Sequence, residues 1–150
     1  MLKGVMIAKL TIQTLIVYAI TAALLFVAAG TWRWPQAWVF IIEMAATSIA
    51  VGVWLARYDP GLLAERMSSP LQRSQAAADK AFILCLMVAW PAWLAFMALD
   101  AVRFRWSHLP VWTQVIGAIV ILVAMYVFYR IFRENSFAAP VVKIQKERGQ

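Results

Sequence analysis

A carboxylate set deep in an apolar run is the side chain of this sequence best placed to do unusual chemistry. Glu43 lies about two turns into the stretch from Ala37 to Ala56, which holds no other charge. A carboxylate within hydrocarbon costs about 3 kcal/mol on insertion scales. Such residues face the interior of a helix bundle and often mark ligand or proton paths. The plainer reading leaves Glu43 protonated, or hydrogen-bonded to a polar group on a facing helix such as Gln13 or Thr14. Glu43 is therefore the candidate residue for contact with a substrate or lipid.

The other reactive side chains are sparse. His108 has no second histidine, cysteine or acidic neighbour in sequence, so its setting does not suit a metal ion. Asp100, Arg103 and Arg105 read as a solvated loop cluster. Cys85, the one cysteine, excludes an internal disulfide and reads as a small hydrophobe buried among helices. No Gly-rich phosphate loop, CxxC pair, HExxH or GxSxG element occurs. Motif spacing alone thus assigns no catalytic residue and no metal or cofactor site.

The elements that must position these residues are membrane spans. Of 150 residues 64% are hydrophobic and 14% charged, against about a half and a quarter in a soluble domain. Four apolar stretches, at Leu10 to Ala29, Ala37 to Ala56, Ala81 to Leu99 and Val111 to Phe132, are each long enough to cross a bilayer. They are apolar all round rather than striped, so lipid is their natural solvent. The fold class is all-α and polytopic, with about four transmembrane helices. The first run exceeds the apolar part of a cleaved signal peptide and is expected to stay as a span. Pro35 suits the first turn of the second helix. Asp59-Pro60-Gly61 should break that helix, and Leu62, Leu63, Arg66 and Met67 then form a short interfacial segment. Asp79 reads as the cap of the third span, and Pro91 should kink it. Trp90 and Trp93 beside that proline should pack against a neighbouring helix.

Charge orients the spans. Net charge is +7, with the cations at span ends rather than along one solvated face, which argues against a nucleic-acid partner. Lys3, Lys9, Arg57, Arg66, Arg73, Lys80, Arg130, Arg133, Lys143, Lys146 and Arg148 fall on one side, and Arg33, Arg103 and Arg105 on the other. The richer side is expected to be cytoplasmic, with both termini there, in a bacterial inner membrane. Trp32, Trp34, Trp38, Trp106 and Trp112 cluster at the opposite interface. Residues 1–132 then form the membrane domain and 133–150 a basic tail. Arg133, Asn135 and Arg148 are its interfacial candidates, and Val142 and Ile144 suggest a short extended segment that anchors at headgroups.

Three strings carry a family resemblance. They are Trp32-Arg33-Trp34-Pro35, Asp59-Pro60-Gly61-Leu62-Leu63-Ala64-Glu65-Arg66-Met67, and Glu134-Asn135-Ser136-Phe137-Ala138-Ala139 followed by Val141 to Gln150. Their order and spacing resemble bacterial relatives of isoprenylcysteine carboxyl methyltransferase over most of the chain. The resemblance implies a helical membrane protein that moves a methyl group from S-adenosylmethionine to a lipid-like or prenylated acceptor. The family's cofactor segment, Gly-Pro-Tyr leading to Arg-His-Pro, has no counterpart in these residues. Positioning supplies much of the rate of methyl transfer, so this chain alone is expected to bind no cofactor and not to catalyse. Two readings follow. The chain is the N-terminal membrane portion of such a protein, shortened or completed by a C-terminal half on another chain. Alternatively it is a non-catalytic subunit of a larger membrane complex.

Overall fold

The computed structural model describes residues 2–71, 75–136 and 138. Of the described residues 83% are helical, and none lies in a strand. Helix α1 (Leu2–Ala29) ends at Gly30, whose φ of 72° is open to glycine without penalty. There the Gly30 N–H donates to the Phe26 carbonyl at 3.0 Å and closes the last turn. Helix α2 (Pro35–Tyr58) starts on a proline whose fixed φ suits a first turn and whose missing N–H leaves no orphan donor.

One residue separates α2 from α3 (Pro60–Arg66). The Asp59 N–H donates to the Leu55 carbonyl at 2.8 Å, while its carboxylate accepts from the Leu62 N–H at 2.9 Å. The expected break is there, but Pro60 and Gly61 belong to the new helix instead of forming a turn. The buried Leu62 and Leu63 fasten α3 against Leu55, Ala56 and Phe132.

Helix α4 (Ala77–Ala98) runs unbroken through Pro91. Its cap is Ala76, not Asp79; Asp79 sits in the first turn and accepts from Gln75 Nε2 at 2.8 Å. The ladder then widens into a π-helical segment, Leu99–Phe104. Asp100 and Arg103 are thus helical, and the solvated loop expected for them begins only at Arg105. Helix α5 (Val111–Glu134) completes the chain's regular structure and takes Arg133 out of the expected tail.

The helices stand in a row rather than a closed bundle. Helix α1 packs on α2 and α4, and α2 on α3 and α5, while α4 and α5 hardly meet. Two apolar clusters hold the row. Leu25, Ala29, Ala37, Ile41, Leu94 and Ala98 form one toward the Trp32 end. Leu55, Ala56, Leu62, Leu63 and Phe132 form the other, with Leu10 and Trp54 against them. Gly52 lets α1 and α2 approach, since a Cβ there would run into the Leu10 side chain.

Outward faces are apolar and bare. Val27 is 75% exposed, Val88 70% and Val120 58%. Soluble proteins do not leave such continuous apolar surface to water. Among the described residues four helical stretches of 26, 24, 28 and 24 residues are apolar enough to cross a membrane, and at 1.5 Å per residue even the shortest reaches about 36 Å. The chain is an all-α polytopic membrane protein. The same exposure corrects two expectations. Cys85 is exposed rather than buried. Trp90 and Trp93, 54% and 60% exposed, meet each other edge-on at 6.0 Å and are not buried against a neighbouring helix.

Candidate functional site

Between the two apolar clusters, near the middle of α1 and α2, lies a belt of polar side chains. The Tyr18 hydroxyl and Ser48 Oγ bond across the helix pair at 3.1 Å. Thr47 Oγ1 donates to the Glu43 carbonyl at 2.7 Å, and Thr14 is buried on α1. Mid-membrane hydroxyls of this kind satisfy themselves on backbone carbonyls or on one another. Glu43 does not. Its Oε1 is closed off and has no hydrogen-bond partner. The expected bond from Gln13 or Thr14 to that oxygen is absent, and Gln13 is exposed.

Below the belt, toward α3, the four elements α1, α2, α3 and α5 leave a cleft of about 390 Å³. Its deep end is set by Leu10, Ser48 and Gly52, and its walls by Met125 and Phe128. Arg66 stands at the interfacial end. The guanidinium lies 4.3 Å from the centre of the Phe132 ring, and Nη1 donates to the Ala138 carbonyl at 3.1 Å. Burial pushes the Arg66 guanidinium below its ordinary pKa, yet arginine keeps its proton in proteins. It is still a solvent-exposed cation at the mouth of an apolar slot. Its planar fork of donors matches the oxygens of a carboxylate or phosphate.

The residues singled out from sequence are not gathered here. Glu43 does not line the cleft. Arg133 pairs with its neighbour Glu134 at 3.2 Å, both half-exposed, an arrangement worth at most about 1 kcal/mol. Asn135 ends α5, its N–H on the Ile131 carbonyl at 2.8 Å. Arg148, with Val142 and Ile144, lies outside the described residues. The sequence placed Arg66 in the short interfacial segment with Leu62, Leu63 and Met67 but did not mark it as a site residue. The signal that could have marked it is its position on α3, one turn after Leu62 and Leu63, which bury that helix's apolar side.

The cleft does not fit S-adenosylmethionine. That cofactor presents a sulfonium, an amino acid and a ribose, whereas the lining holds one guanidinium, one serine and no carboxylate. Among the described residues no three His, Cys, Asp or Glu side chains gather as a metal site. Comparison with protein-family models, with curated proteins and with solved structures finds no match to this chain.

Proposed function

We propose that these helices are the membrane-embedded, acceptor-side portion of an isoprenylcysteine carboxyl methyltransferase-like protein, not catalytic alone. The observation that carries this reading is the apolar cleft closed at its interfacial end by Arg66. A prenyl or acyl chain matches the walls of Leu10, Met125 and Phe128, and a terminal carboxylate matches the guanidinium. Cofactor binding then belongs to residues outside these 150, contributed by a further segment or a second chain. The resemblance of residues 59–67 and 134–150 to that family supports the same assignment. Residues 59–67 include both the cap of α3 and Arg66.

The proposed setting is a bacterial inner membrane with both termini in the cytoplasm, which puts Arg66 on the cytoplasmic side. Eleven of the fourteen Lys and Arg residues lie, in sequence, in the segments assigned to that side, which supports this orientation. A second reading, an accessory subunit of a larger membrane complex, is favoured by one observation. Helix α5 is held on one side by α2 and is otherwise almost wholly uncovered.

Photo-crosslinking separates the two. A photoreactive prenylcysteine carboxylate should label the purified chain saturably, and Arg66→Gln should weaken labelling about tenfold, the worth of one charge-assisted bond. Labelling indifferent to Arg66, together with stoichiometric partners after gentle extraction, would favour the subunit reading. Labelled S-adenosylmethionine should show no saturable binding to the chain alone.

A further inference from the structure

The end of the molecule opposite α3 carries a separate cavity of about 670 Å³. It opens where α2 and α5 begin and the π-helical segment ends. Trp34, Gln36, Asp100, Arg105, His108 and Gln114 line it. Asp100 builds this corner. Its Oδ1 accepts from the Ser107 N–H at 3.0 Å, and its carbonyl accepts from the Trp106 N–H at 3.2 Å. The chain is thereby turned back at Arg105, which takes the left-handed conformation, φ 53° and ψ 43°. The Arg105 side chain has no hydrogen bond or ion pair among the described residues.

The lining therefore offers a cation and a carboxylate in one cavity, with two amides, an imidazole and an indole. A simple anion would meet Asp100, and a simple cation would meet Arg105. A molecule bearing both charges meets each with its opposite, and the unlike charges discriminate against either single ion. Arg105 provides a planar fork for an oxyanion. Gln36 and Gln114 add side-chain donors, from first turns that contain no acidic residue. Trp34 offers an aromatic face to an ammonium group. The exposed Trp32, Trp38, Trp106 and Trp112 around this end place it at headgroup depth.

We infer that this cavity binds a zwitterion, an oxyanion joined by a short linker to an ammonium group. A phosphoethanolamine lipid headgroup supplies that chemistry, and so does the free soluble zwitterion. The inference does not rest on the methyltransferase reading, which concerns the opposite end.

The full chain in neutral detergent should be examined by native mass spectrometry with equal amounts of phosphatidylethanolamine and phosphatidylglycerol. Phosphatidylethanolamine should be retained about tenfold more, the value of one charge-assisted contact. Arg105→Gln should reduce its retention by a similar factor, with helicity by circular dichroism unchanged, since no internal contact is lost. Asp100→Asn keeps an acceptor for the Ser107 N–H and should erase the preference between the two lipids. Free phosphoethanolamine that competes assigns the headgroup chemistry alone; selective lipid retention without competition assigns the lipid as the source. Equal retention of both lipids by the unaltered chain, or retention unaffected by Arg105→Gln, overturns the proposal.

Discussion

Asp59 joins two helices, its N–H on the Leu55 carbonyl and its carboxylate on the Leu62 N–H, so removal of the side chain tests whether local bonds or burial hold α3 in place. Asp59→Ala deletes the acceptor for the Leu62 N–H and should cost about 1 kcal/mol, the usual worth of an N-cap. The loss is measurable as a lowered unfolding midpoint in detergent. Gly52→Leu should cost more, about 2 kcal/mol, because a side chain there collides with Leu10, which must repack. Glu43→Gln should leave stability unchanged or raised, since Oε1 has no partner in the folded chain to lose. A drop of more than about 1 kcal/mol would mean that the carboxylate is engaged in a way the fold does not reveal. Glu43 could be found in the sequence because charge is conspicuous in an apolar run. Arg66 could not, because its environment is assembled from α2, α3, α5 and Ala138, which are distant in sequence.

Span existence was plain at the level of elements, whereas span ends were not. The hydropathic runs mark hydrocarbon, but helices continue into the headgroup layer, where Lys9, Arg57 and Arg133 extend α1, α2 and α5. The π-helical segment had no signature, because Asp100, Arg103 and Arg105 read as polar loop by composition alone. Capping of α4 was misread for a related reason: Asp79 is a good cap by type, but Gln75 engages it within the first turn. The attachment of α5 is thin and should be easy to loosen. Trp54 stacks near Tyr58 and meets Tyr129 of α5 edge-on at 4.9 Å. Trp54→Leu should weaken that hold by about 1 kcal/mol, the worth of an aromatic pair. Faster amide exchange along α5, with α1 and α4 unaffected, is the expected readout.

For the whole molecule, the row of helices explains why composition identified the solvent but not the partners. Lipid covers apolar faces without needing specific side chains, so nothing in the sequence of α4 or α5 separates a lipid-facing surface from a protein-facing one. Four spans place Gly4, Ser68 and Asn135 on one face of the bilayer and Thr31 and Ser107 on the other. Substituted-cysteine labelling in sealed vesicles, on a Cys85→Ser background, measures this arrangement directly. With an impermeant reagent, Gly4→Cys, Ser68→Cys and Asn135→Cys should react together from one side, and Thr31→Cys and Ser107→Cys only from the opposite side. Reaction of both sets from the same side, or a chain that stays dispersed in buffer without detergent, would contradict a protein of four membrane spans.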